Sequence, residues 1–213
     1  MKKLQIALLM ATLVLTGCVA GTRNIDLVTP DYNNENSASG DVYIVAINDK
    51  RTFEQKPRNP STPSVDGNLS STSKEKLSTL IGRQRNGYGM AMGDVALNEG
   101  LTIQDEVREL LTKGLESRGY KVVDNVSAPN HLTVDVEKFW AWFSPGMWSV
   151  SFESNLQCNI GFKKGMDIKQ IDITGYGINK GQIASDENWK LAYRRAYLNF
   201  LENLDKLLDA EDL

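Results

Sequence analysis

One histidine, His131, and two cysteines, Cys18 and Cys158, are all the imidazole and thiol chemistry this 213-residue chain holds. Nucleophilic catalysis needs a serine or cysteine beside a base, with a third group to orient that base. The sequence has no Gly-x-Ser-x-Gly elbow, and the apolar alternation around Cys158 turns its thiol inward, where it acts as a small buried hydrophobe. No His-x-x-x-His or Cys-x-x-Cys spacing occurs, so neither a metal nor a cofactor is expected. The one paired-carboxylate candidate is Glu137 with Glu153, which face each other if two neighbouring strands pair as set out below. Such a pair can share a cation or one raised pKa, but on a flat, wet sheet it lacks the cleft that glycosidic chemistry needs. Arg83 and Arg85 sit in a stretch with Gly82, Gly87, Gly89, Gly93 and Gly100, which suggests a phosphate cradle. The Gly-Lys-Ser/Thr ending of such a loop is missing, so the stretch reads first as a turn-rich hairpin. Small-ligand binding between Arg83 and Gly93 is the second reading.

The specific chemical signal is Leu15-Thr16-Gly17-Cys18, a bacterial lipobox. Lys2 and Lys3 precede an apolar run from Leu4 to Leu15 that falls short of the ~20 residues of a membrane span but suits a secretory signal. Residues 1–17 are therefore expected to be a signal peptide cut between Gly17 and Cys18. In lipoproteins that resemble this, the cysteine thiol carries a diacylglycerol and its amine a third acyl chain. Val19 is not aspartate, and in the sorting that this resembles such a residue directs the protein to the outer membrane, facing the periplasm.

Loss of Lys2 and Lys3 with the signal takes the formal charge from -3 to -5. A mildly acidic chain argues against nucleic acid as a partner. Cys158 is then the sole thiol not given to acylation, so no internal disulfide forms. Residues 18–40 are polar and without period, and read as a flexible tether able to span tens of ångströms, since a flexible chain reaches about 5–6 Å times the square root of its length. Residues 41–213 read as a single domain.

Val42 to Ile47 is a continuous apolar run, as in a central strand buried on both faces. The Pro/Ser/Thr-rich stretch at about 49–76 is expected to be a disordered or loose loop. Thr102 and Asp105 form a capping-box pattern opening a helix to Gly119, with Gly114 on its apolar face for close packing, and Tyr120 to Val123 follows as a strand. On His131–Phe143 and on Met147–Phe162 the apolar positions are even-numbered. Matching those faces requires a three-residue connection, Ser144-Pro145-Gly146, which sets Trp142 opposite Trp148 and Glu137 opposite Glu153. A second three-residue turn, Lys163-Lys164-Gly165, sets Ile160 opposite Ile168, with a β-bulge near Lys169 or Gln170 restoring the face to Ile171 and Ile173. Ser185 caps a last helix, Asp186 to about Asp209, with Trp189, Tyr193, Tyr197 and Phe200 on its core face. The binding candidates are the aromatic hairpin tip, Phe139, Phe143, Trp140, Trp142 and Trp148, and the outward pair Leu191 and Leu198. Parity puts the three tryptophans towards the core and Phe139 and Phe143 away from it.

This order of elements behind a lipobox resembles the YajG-like family of bacterial lipoproteins. The resemblance is carried by Val107-Arg-Glu-Leu-Leu-Thr-Lys-Gly-Leu-Glu-Ser-Arg-Gly-Tyr-Lys-Val122 and by the hairpin Leu132 to Ile160. It implies an uncharacterised outer-membrane lipoprotein and supplies no catalytic residues. The expected fold is α/β (α+β), a mixed, largely antiparallel sheet of about five strands with two helices packed on one face. The expected function is a lipid-anchored, non-catalytic binding or assembly-accessory module with a membrane and an envelope protein as partners. The alternative is an envelope enzyme acting on cell-wall or glycan material through Glu137 and Glu153.

Overall fold

A computed structural model describes residues 21–33, 39–65, 67–86, 88, 90–146, 149–183 and 185–211. The expected signal peptide and Cys18 lie outside them, as do Gly17, Met147 and Trp148. The fold is α+β, with ten strands, β1 (Thr22–Ile25), β2 (Gly40–Asp49), β3 (Glu54–Gln55), β4 (Ser64–Val65), β5 (Leu80–Arg85), β6 (Ala91–Leu97), β7 (Tyr120–Val122), β8 (Asn130–Pro145), β9 (Val150–Lys164) and β10 (Asp167–Gly181). Three helices complete it, α1 (Lys74–Thr79), α2 (Ile103–Ser117) and α3 (Asp186–Ala210). Eight strands form one mixed sheet, more than the five expected, while β3 and β4 form a separate pair. The long strand β8 lies at its centre. One edge pairs with β9, and the other is shared by β2 and β5, both parallel to it.

A β-bulge in β8 governs what the sheet does with its aromatics. Val136 pairs with Cys158, but Lys138 pairs with Gln157, so Glu137 is the extra residue and the side-chain parity flips there. Before the bulge Leu132, Val134 and Val136 face the helices; after it Phe139 and Ala141 do. Trp140 and Trp142 therefore turn to the opposite face, where they form a second cluster with Val65, Leu80 and Ala96. The expected arrangement had Phe139 and Phe143 outside and the tryptophans beneath a helix. Apolar alternation alone does not reveal a bulge when both faces beyond it are apolar.

The bulge also moves the register. Trp142 pairs with Glu153 and Pro145 with Val150, so four residues rather than three separate the paired strands. The β9–β10 hairpin turns through Gly165 and Met166 alone, pairing Ile160 with Ile171 and Cys158 with Ile173 without the expected bulge near Lys169 or Gln170. Gly165 at φ 64° supplies the left-handed conformation that a two-residue turn requires.

Residues 49–65 and 67–76 pack against the sheet where a loose loop was expected. Buried Arg51 fastens the start of this flap, with Nη1 donating to the carbonyls of Leu80 (2.7 Å) and Phe139 (3.1 Å) and Nη2 to that of Leu77 (2.8 Å). Its charge is met by Asp49 at 2.8 Å. Trp140 Nε1 donates to Pro60 O at 3.2 Å, and Phe53, Leu69 and Leu77 close over the tryptophan cluster. Composition misses this because the flap is held largely by single side chains bonded to backbone carbonyls, which carry no side-chain signature.

Residues 21–33, within the expected tether, join the domain instead. β1 runs parallel to β6, and Ile25 and Leu27 are buried. Four residues are too few for a period to emerge. β2 also departs from expectation, because Val42 and Ile44 are buried whereas Val45 is exposed.

The capping box of α2 is formed, with Thr102 Oγ1 accepting from Asp105 N and Asp105 accepting from Thr102 N, worth about 1 kcal/mol. A Cβ on Gly114 would lie 2.7 Å from Leu204 Cδ2, so this glycine admits α3 to close contact. Along the edge strand β10, α3 covers backbone groups. Asn199 accepts from Tyr176 N, Asn203 donates to Thr174 O, and Arg195 donates to Ile178 O. An edge so occupied is a poor template for another strand.

Candidate functional site

The carboxylate pair does not form. Glu137 accepts from Gln157 Nε2 at 2.7 Å in the bulge, while Glu153, opposite Trp142, accepts from Ser144 Oγ at 3.1 Å and Tyr176 OH at 2.7 Å. Burial, and then the Glu153 bond and charge, push the Tyr176 phenol up to about 12. Cys158 is buried as expected. Burial, with the charge of Glu137, drives its thiol up to about 12, which keeps it protonated. His131 lies edge-on to Tyr43, with ring centroids 5.9 Å apart.

The described aromatic candidates pack in or against the core. Phe139 is fully buried and stacks on Tyr193 at 5.2 Å, Phe143 is half-buried against Phe152, and Trp140 and Trp142 lie under the flap. Of the outward pair, Leu191 is exposed and Leu198 half-buried.

What the fold does build is a cavity of about 590 Å³ between the flap and the β5–β6 hairpin. Its lining includes Lys56, Arg58, Arg83, Arg85, Tyr88 and Met90. Successive outward positions of β5 deliver Arg83 and Arg85 into one wall. Arg83 Nε donates to Asp94 Oδ1 at 2.8 Å across the hairpin. Arg85 donates to Pro57 O at 3.1 Å and to Ser64 Oγ at 2.8 Å, drawing the flap down on the hairpin. Both guanidiniums are buried, and desolvation followed by the charge of Arg83 lowers the pKa of Arg85. Lys56 stands at the mouth with φ 53°, the one non-glycine positive φ among the described residues. Backbone held in that region is retained where surrounding structure imposes it, and such positions cluster at ligand sites.

Four cations, Lys56, Arg58, Arg83 and Arg85, thus line one cavity in a chain of charge -3. The sequence flagged Arg83 and Arg85, but Lys56 and Arg58 come from the flap and enter only through tertiary contact. Spacing gives no signal for them.

Residues 83–174 match the model of a family described as uncharacterized lipoprotein. The match starts at the pocket arginine and runs through α2, β8 and β9 into β10, under half of the chain. It agrees with the sequence resemblance at the level of an uncharacterised bacterial lipoprotein family, for which the YajG-like assignment is a finer statement. A lipoprotein family points to a membrane-anchored envelope protein. Among the described residues, no helix is long and apolar enough to cross a membrane. No curated protein matches.

Among solved structures, a Xanthomonas campestris protein of the DUF330 family is 10% identical, with 90% of this chain and 97% of that chain covered at a TM-score of 0.50. A second, titled only as an uncharacterized protein, is 10% identical over 87% and 96% at 0.41. A hypothetical protein from Chlamydia trachomatis is 8% identical over 81% and 99% at 0.40. The likeness to the Xanthomonas protein is one of fold.

Proposed function

We propose that this chain is an outer-membrane lipoprotein, held by acylated Cys18 and facing the periplasm, whose domain is a non-catalytic module that binds an anionic group in the flap–hairpin pocket. The observation that supports it is the convergence of Lys56, Arg58, Arg83 and Arg85 on one cavity of about 590 Å³. Arg83 pairs with Asp94 at 2.6 Å, and the exposed Lys56 and Arg58 add their charge from the flap. The envelope enzyme relied on Glu137 and Glu153, which the register separates.

Thermal unfolding with glycerol phosphate as the probe tests the reading. Ligand at a hundred times its Kd stabilises by about 2.7 kcal/mol, a readily measured rise in Tm. Lys56→Gln with Arg58→Gln removes two exposed charges without opening the core and is expected to abolish most of the rise. No rise in the unaltered protein, or an equal rise in the variant, refutes the pocket as the site.

A further inference from the structure

The geometry points to the pocket as a seat for the phosphate-bearing headgroup of an anionic phospholipid in the membrane that holds Cys18. This rests on the anion-pocket reading and adds to it the source of the anion.

One row of paired residues crosses the sheet: Thr22, Asp94, Arg83, Trp142, Glu153 and Ile178, on β1, β6, β5, β8, β9 and β10. Everything the chain places beyond this row on one side lies at one end of the sheet. That end holds the β5–β6 turn, the 146–149 turn and the connection from β10 to α3. The N-terminus leaves by the same end. β1 is parallel to β6, and Gly21 O accepts from Asp94 N at 3.1 Å, so the described chain begins at the end of β6 that holds Gly93 and Ala91. Only Val19 and Ala20 separate Gly21 from Cys18. Three steps of chain reach at most ~11 Å, since an extended residue spans about 3.5 Å. The acyl chains therefore hold this end, and not the opposite one, close to the bilayer.

What that end presents suits a membrane surface. Tyr88 is 92% exposed, Met90 61% and Ile183 70%, and the first two line the mouth of the pocket. A tyrosine with an apolar ring and a polar tip is suited to the headgroup level. Lys56 and Arg58 extend from the flap beside them. Each Lys or Arg near an anionic bilayer attracts it over about a Debye length, and tethering raises the effective headgroup concentration so that a weak site fills. A site for a free phosphate ester needs the same cations but neither the exposed Tyr88 and Met90 nor the nearby anchor.

The test uses the full acylated protein in vesicles of phosphatidylcholine alone or with about one-third phosphatidylglycerol. Ile183→Cys carries an environment-sensitive fluorophore outside the pocket, with Cys158 buried and Cys18 acylated. Met166→Cys, 98% exposed in the β9–β10 turn at the far end of the sheet, is the control. The label at 183 is expected to brighten and shift to the blue with phosphatidylglycerol, and the label at 166 to stay unchanged. Lys56→Gln with Arg58→Gln is expected to shift the bound orientation back roughly thirtyfold. Equal signals from 183 in both vesicles, or a response at 166 equal to that at 183, overturns the inference. If glycerol phosphate still raises Tm in that case, the pocket takes free phosphate esters and only the membrane source falls. If glycerol phosphate also fails, the anion pocket falls with it.

Discussion

Glu106 lies in the interface between α2 and α3, 5% exposed, where Tyr197 OH donates to its carboxylate at 2.8 Å. Burial is the main influence on it and pushes the carboxyl from 4.5 up to about 7; Tyr197 pulls it down, and Glu109, Asp26 and Asp105 push it up further. In the unfolded chain the group titrates near its ordinary value, so between these two points the folded state holds the proton and the unfolded state does not. Stability from this group is therefore full below about 4.5 and falls as the pH rises towards 7. A tenfold change in proton affinity is about 1.4 kcal/mol, so the loss approaches about 3 kcal/mol above neutrality. Glu106→Gln keeps an acceptor for Tyr197 and cannot ionise. Urea unfolding of both proteins from pH 4.5 to 8 is expected to show the difference in stability growing by about 3 kcal/mol in favour of Gln as pH rises, with every other titration cancelling. Parallel pH profiles, or a difference that grows towards acid, would refute the reasoning.

Gly177→Ala places a Cβ 2.1 Å from Ala192 O and 2.5 Å from Ala196 N, both backbone, whereas at Gly114 the nearest atoms are the mobile ends of Leu204 and Leu201. Thermal unfolding is expected to show Gly177→Ala costing about 3 kcal/mol or more and Gly114→Ala about 1 kcal/mol, and a reversed order contradicts the packing of α3 on β10. Arg51→Ala removes the guanidinium that bonds three carbonyls and pairs with Asp49, so the expected loss is about 3–5 kcal/mol with new proteolytic cleavage inside 54–67; an uncleaved flap counts against Arg51 as its fastening. Cys158 is expected to stay inert to thiol reagents at pH 8 until urea unfolds the domain, and fast labelling of the native protein contradicts its burial.

Local signals were legible. The capping box at Thr102 and Asp105, the close-packing Gly114, the short strand after Tyr120, the inward Cys158 and the aromatic core face of α3 all stand where sequence periodicity put them. Each depends on residues within a few positions of one another. The registers failed at Glu137 because a bulge moves every later side chain to the other face, and apolar residues on both faces hide the change. Phe139 and Phe143 accordingly went from surface candidates to residues packed in and against the core.

The sequence by itself determined the α+β class and the main helices, since these follow from local spacing and chain composition, and it carries the Leu15-Thr16-Gly17-Cys18 pattern on which the anchor proposal rests. Only the tertiary structure decided that residues 21–33 belong to the domain, that residues 49–65 and 67–76 form a fastened flap, and that Lys56 and Arg58 meet Arg83 and Arg85 around one cavity. Those outcomes depend on carbonyls and guanidiniums that lie up to ninety positions apart in the chain, as Arg51 and Phe139 do at 88, and such pairings have no period for a sequence to display.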